Sequence, residues 1–289
     1  MKFSSKENID IKQEIKSGLY IVSTPIGNLG DITLRAIHVL KNSKLILCED
    51  TRTSIKLLKK FNINTKMMSY HKFNEKKSLG KIIHLIKVNN IVSLISDAGT
   101  PVISDPGMIL VNECIKNNIA IHPIPGPSAV ISALSVSGFK EKFLFYGFLP
   151  NSENQIKKEI KNLCDFPYSI IFFVSPEKIN KVIEIFKIYF FDRKIMIAKE
   201  MTKIYENFIR NDINSLNLQK YKLKGELTIV ISNKFNLKKK SLNQLSESVK
   251  NEIKLMIKKY SSRDVSDFIS KKEKISKKII YDYSITLKK

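Results

Sequence analysis

Cysteine is scarce and scattered. The three in this chain, Cys48, Cys114 and Cys164, form no Cys-x-x-Cys pair, which excludes a disulfide framework and offers no structural zinc signature. His38, His71, His84 and His122 likewise lack metal-ligand spacing, and His38 and His84 fall in helix-patterned stretches. No apolar run approaches the roughly 18 residues of a membrane-spanning helix, and the opening MKFSSKENIDIKQEIKSG lacks the apolar core of a secretory signal. The expectation is a cytoplasmic protein with no membrane attachment. No Gly-Lys-Ser/Thr is present, so there is no Walker A loop, and Gly27-x-x-Gly30 is not the Gly-x-Gly-x-x-Gly dinucleotide fingerprint. Acidic residues are also few: 27 Asp+Glu against 50 Lys+Arg leave a net charge of +23. That excess favours a polyanionic partner such as nucleic acid. A chain rich in Lys, Ile and Asn is equally what an AT-rich genome would encode, so charge alone leaves both readings open.

What the chain does have is enough for two ordinary domains at roughly 150 residues each. Its 43% of hydrophobic residues can fill their cores, which excludes a mainly disordered protein. Residues 1–17 read as a loose N-terminal extension. From Leu19 a unit of short apolar run, loop and helix-periodic stretch occurs four times: Leu19–Val22 before Ser23 to Asp31, Leu45–Cys48 before Glu49 to Arg52, Ile91–Ile95 before Ser96 to Pro101, and Ile119–Ile124 before Pro125 to Ser128. Such alternation predicts an open, largely parallel α/β sheet over 18–138. Asp105-Pro106-Gly107 reads as a helix start with Asp105 as N-cap and Pro106 at the first helical position, and Pro127 as a second such proline. Further apolar runs at 143–148, 169–174, 194–198 and 227–231, with amphipathic stretches near 153–163 and 177–188, predict a second α/β domain over 139–236 with a more mixed sheet. Lys238-Lys239-Lys240 opens a polar linker. Beyond it, 242–259, 262–270 and 275–287 have helical periodicity, giving a lysine-rich helical tail over 237–289.

In open α/β sheets ligands collect at the carboxyl ends of the strands, and here the loops that follow strands are the distinctive ones. Pro25 to Asp31, Asp97 to Pro101 with Asp105 to Gly107, and Pro125 to Ser128 combine turn-forming Gly and Pro with Asp and Ser that can hydrogen-bond an amine, a hydroxyl or a carboxylate. Any one alone is ordinary turn chemistry. Three at one sheet edge, beside Glu49 to Arg52 and His71 to Glu75, describe an enzyme for a small polar ligand and a polyanionic substrate.

These segments, together with Pro123-Ile124-Pro125-Gly126-Pro127-Ser128-Ala129, closely resemble the bacterial 16S ribosomal RNA (cytidine) 2′-O-methyltransferases of the RsmI type, within the tetrapyrrole methylase superfamily. The resemblance implies two α/β domains with S-adenosylmethionine in the cleft between them, in a homodimer that methylates a cytidine in the decoding centre of the small ribosomal subunit. It assigns cofactor contact to Pro25, Ile26, Gly27, Leu29, Asp97, Ala98, Gly99, Thr100, Val102, Gly126, Pro127, Ser128 and Ala129, with Phe173 and Leu227 from the second domain. It turns Glu49 to Arg52 and His71 to Glu75 towards RNA. For the proton of the ribose hydroxyl the candidates are Asp50 and His71, and for the developing oxyanion Arg52 and Lys203. Against these roles, Asp50 and Arg52 could simply pair with each other. Glu200-Met201-Thr202-Lys203 and Lys224-Gly225-Glu226 match the family, but Phe172 to Lys178 departs from its aromatic-Tyr-Glu-Ser-x-His-Arg segment, with Phe173, Val174, Glu177 and Lys178 in place of Tyr, Glu, His and Arg. Two other functions fit the same residues: methylation of a tetrapyrrole precursor, and a non-catalytic RNA-binding or ribosome-assembly factor.

Overall fold

The computed structural model describes residues 14–234, 245, 247–273 and 275–287. The N-terminal residues 1–13 and the Lys238-Lys239-Lys240 linker lie outside them. The first half forms a five-stranded sheet in the order β3-β2-β4-β1-β5, built from Gly18–Val22 (β1), Leu45–Cys48 (β2), Met67–Ser69 (β3), Ile91–Ile95 (β4) and Ile121–Ile124 (β5). Every pairing is parallel. Successive side chains of a strand point to opposite faces, and these strands are apolar on both. Tyr20, Val22, Ile46 and Cys48 pack under α1 (Leu34–Asn42) and α2 (Thr51–Lys60). Leu19, Leu45, Leu47 and Leu94 pack under α3 (Glu75–Lys87) and α4 (Met108–Lys116). Both faces are covered, as a parallel sheet requires.

The three residues of β3 are too short for a period-2 signal, so this strand is not among the four units read from the sequence. The expected helix start at Asp105-Pro106 is also corrected. Helix α4 begins at Met108 with Gly107 as its cap at φ 131°, a conformation open to glycine. The Gly107 N–H goes to the buried Glu75 carboxylate at 2.7 Å, which leaves Asp105 in the loop. Similarly, α5 (Ala129–Ser137) is capped by Ser128, so Pro127 precedes the helix.

The second sheet runs β6-β7-β10-β8-β9, from Phe143–Phe148 (β6), Ser169–Val174 (β7), Leu227–Ile231 (β10), Lys194–Lys199 (β8) and Asn207–Asp212 (β9). Only β6 and β7 are parallel, giving the mixed sheet expected. One face packs on α6 (Glu153–Leu163) and α7 (Ile179–Tyr189). The other buries Ile171, Met196, Ala198 and Val230 against Val130 and Ala133 of α5, with Ile26 and Met201. Thus α5 closes the first half of the chain yet packs on the second sheet, and Met1–Asn233 forms one compact unit. Buried Arg193 clips the far end of this sheet by donating to the carbonyls of Cys164, Phe166, Tyr168 and Ser232.

Lys234–Lys289 is a second unit. Its helices Glu247–Met256, Ser262–Glu273 and Lys277–Thr286 enclose a core of Leu245, Val249, Ile253, Val265, Ile269 and Ile280. Among the described residues no helix is long and apolar enough to cross a membrane.

Candidate active site

Three strand-following loops are stitched together above the first sheet. Thr24 and Gly99 exchange backbone hydrogen bonds of 2.8 and 3.0 Å, and the Thr24 hydroxyl donates to the Ser96 carbonyl at 3.1 Å. The hydroxyls of Ser23 and Thr100 lie 3.0 Å apart, and Thr100 donates onward to the Pro127 carbonyl at 3.4 Å. Gly126 closes the set: a Cβ there would stand 2.9 Å from Ser23 Cβ, so only glycine lets these loops approach this closely.

Beside them opens a cavity of about 440 Å³, within the range of small-molecule sites. Of the cofactor residues expected from the sequence, Ile26, Asp97, Ala98, Gly99, Thr100, Ser128, Ala129, Phe173 and Leu227 line it. Pro25, Gly27, Leu29, Val102, Gly126 and Pro127 do not. Pro25 is buried, Leu29 stands in an exposed 3-10 turn, Val102 packs toward Gly107, and Gly126 and Pro127 serve the loop junction. The cavity adds residues the sequence reading did not assign: Ile103, Ser104, Asp105 and Val130, then Phe148, Val174, Ser175 and Pro176, and finally Gly225, Glu226 and Thr228. Phe148 is the last residue of β6 and Ser175-Pro176 follow β7, so both lie at carboxyl ends of strands, the same rule that singled out the first three loops. Phe173 meets Phe145 and Phe148 at ring separations of 5.0 and 5.3 Å, making an aromatic wall.

The Glu200–Lys203 turn is locked to the loop at Gly225. Glu200 and Thr202 adopt φ of 51° and 65°, and the Glu200 carboxylate accepts from the Glu226 N–H at 2.8 Å and from Lys203 Nζ at 2.9 Å. Lys203 also reaches Glu226 at 3.1 Å. Burial works against the Lys203 charge, but the two carboxylates outweigh it and raise its pKa. The Asn28 N–H donates to Thr202 Oγ1 at 3.1 Å, and a Cβ on Gly27 would lie 2.4 Å from Lys203 Cγ. Lys203 therefore ties the N-terminal loop to the second sheet.

Asp50 caps α2, accepting from the Arg52 N–H at 2.8 Å, and pairs with the Arg52 guanidinium at 2.7 Å. Hydrogen bonds from Arg52 hold its pKa down at about 2, so Asp50 is a weak proton acceptor and its carboxylate is already engaged. His71 has a buried Nδ1 with no partner among the described residues, and its ring meets Phe73 edge-on at 6.0 Å. Phe73 is 94% exposed, whereas Glu75, expected to turn towards RNA, is buried and spent on Gly107. Burial, then Asp97, raises the pKa of Glu49. Burial also raises that of Asp97, which accepts the Asp50 N–H at 3.3 Å. For Asp105, burial and the nearby charges of Glu49 and Asp97 push the value up to about 6. No cluster of His, Cys, Asp and Glu among the described residues has the arrangement of a metal site.

The chain matches the family model of the tetrapyrrole (corrin/porphyrin) methylases over residues 18–217. It is 46% identical to ribosomal RNA small subunit methyltransferase I of Rickettsia prowazekii, covering 79% of this chain and 83% of that protein. It is 43% identical to the protein of that name from Thermotoga maritima, covering 75% and 98%. Among solved structures, cobalt precorrin-4 methyltransferase superposes with a TM-score of 0.57 at 15% identity, over 74% of this chain and 94% of that one. Uroporphyrin-III C-methyltransferase of Thermus thermophilus, complexed with S-adenosylhomocysteine, gives 0.52 at 12%, over 74% and 97%. At such identities the two structures share the fold alone.

Proposed function

This chain belongs to the tetrapyrrole methylase family, and from that premise we propose that it is an S-adenosylmethionine-dependent ribosomal RNA methyltransferase acting on the ribose 2′-oxygen of a cytidine in the 16S RNA of the small subunit. The observation that carries the reading is the single cavity on which the three strand-following loops converge. Its donor set suits this cofactor. The aromatic wall of Phe148 and Phe173, with Ile26 and Leu227, offers apolar faces to the base. Backbone groups of Ala98 to Thr100 and the Ser128 hydroxyl offer hydrogen bonds, and the Asp97 carboxylate offers negative charge to a cationic cofactor, in a chain of net charge +23.

When bound, the cofactor supplies an activated methyl group. The chain positions the two reactants and manages the hydroxyl proton. Arg52, its side chain 89% exposed, and Phe73 face solvent beyond the same sheet edge, available to phosphate and base. The relatives at 43–46% identity carry the ribosomal RNA name, whereas the tetrapyrrole enzymes stand at 12–15%, which favours RNA over a porphyrinoid. Three cofactor-suited loops on one cavity favour an enzyme over a binding factor. The cytoplasm, a homodimer, and a domain division near Gly138 complete the proposal.

The test is methyl transfer from labelled S-adenosylmethionine to small ribosomal subunits, with mass spectrometry of the RNA. Label on the ribose of one 16S cytidine is expected. Label on a base, or on uroporphyrinogen and not on RNA, would overturn the reading, and sedimentation of the purified chain checks the dimer.

A further inference from the structure

The cavity carries three carboxylates, and two of them are committed. Asp97 accepts the Asp50 N–H, and Glu226 is paired with Lys203. Among the described residues Asp105 forms no ion pair, and the side chain near it that lowers its pKa is the Ser96 hydroxyl. Its loop is held in a demanding geometry: Val102 and Ser104 have φ of 75° and 67°, and immediately after Asp105 the chain is pinned by the Gly107 N–H to Glu75. Positive φ at a β-branched residue costs free energy that the surroundings must offset. What this geometry achieves is to place one unpaired carboxyl on the cavity wall and within electrostatic reach of Glu49, which neighbours Asp50 and feels His71. Asp105 thus lines the cavity and feels the charge of Glu49, a residue of the segment proposed to meet RNA.

Resting on the ribose-methylation reading, we propose that Asp105 is the general base of the transfer. As the 2′-oxygen forms its bond to the methyl carbon, the O–H bond breaks and its proton passes to the Asp105 carboxylate. The carbon–sulfur bond breaks with its electron pair retained on sulfur, leaving neutral S-adenosylhomocysteine. The groups facing Asp105 explain its fitness for this: Glu49 at the end of β2 and Asp97 at the end of β4 add to burial in raising its pKa to about 6. It is therefore ionised at neutral pH and still basic enough to take a proton, where Asp50 at about 2 is not.

The experiment compares wild type with Asp105→Asn on small subunits at saturating cofactor, with three readouts. Transfer by the wild type should rise with pH through about 6 and then level. Asp105→Asn should lose a hundredfold or more in kcat, lose that acid limb, and bind S-adenosylhomocysteine with little change. The third readout needs no turnover. A carboxyl whose folded pKa lies above its unfolded value contributes a penalty that grows as pH rises through that interval. Asp105→Asn should accordingly raise the thermal midpoint of the cofactor-free protein at pH 8 relative to wild type, and not at pH 4. Weakened S-adenosylhomocysteine binding with kcat intact would make Asp105 a cofactor ligand and overturn the proposal. A lower midpoint at both pH values would do the same by showing a structural role. A wild type that binds cofactor and leaves RNA unmethylated would defeat the ribose-methylation reading itself, and the assigned base with it.

Discussion

Asp97 shows how one side chain serves both the loop and the cavity. Its carboxylate lines the cavity and accepts the Asp50 N–H. Removing it should cost cofactor affinity about tenfold or more, the scale of a hydrogen bond to a charged group. Apo stability should change little, since the lost acceptor is offset by relief from the other carboxylates. Calorimetric titration of Asp97→Ala with S-adenosylhomocysteine, beside its apo thermal midpoint, checks both halves. Arg193 makes the opposite case. Arg193→Met leaves four carbonyl contacts of a buried side chain unmade and is expected to cost about 3 kcal/mol or more, measured by urea unfolding, with no effect on cofactor affinity beyond the lost folded fraction. The two residues also differ in legibility. Asp97 follows a strand in a Gly- and Pro-bearing loop, a local signal. Arg193 is one of many basic residues, and its carbonyl partners come from residues up to 39 positions away, which no window of sequence reveals. The ion pair of Asp50 with Arg52 was readable as an alternative to catalysis because its partners are two residues apart.

Among elements, the buried strands were the most legible. Leu45–Cys48 and Leu227–Ile231 are buried at every position, so their apolar runs have sharp ends. Strand β9, with exposed and half-buried positions except at Ile209, pairs only on one edge and left no such run. The turns that join the two sheets were visible as motifs but not as a device, because their meaning lies in close approach. At Gly225, φ is 83° and a Cβ would meet the Glu200 carboxylate at 2.3 Å. Gly225→Ala should destabilise by about 2–4 kcal/mol, combining left-handed strain with overpacking. Gly27→Ala should push Lys203 off its carboxylates and weaken cofactor binding more than it lowers the unfolding midpoint. Urea curves paired with cofactor titration separate these outcomes.

For the molecule as a whole, the charge of +23 makes a measurable claim. If the basic surface meets phosphates, affinity for small subunits should fall by about 10²-fold or more between 50 and 200 mM salt, because each neutralised phosphate releases counterions. A flat salt response would assign the charge to genome composition. Strand order has a consequence in time. In the second sheet the last strand made, β10, sits in the middle, between β7 and β8. A nascent chain that has emerged only as far as β9 therefore carries two unjoined pieces of sheet. Their open inner edges, among them the Ile- and Phe-rich β7, are the kind that invite pairing with another chain. Leu227 and Thr228, which β10 brings to the cavity wall, arrive at the same moment as the strand that closes the sheet. A ribosome stalled short of Ile231 would thus hold a polypeptide whose second sheet is still in two pieces and whose cavity wall lacks Leu227 and Thr228.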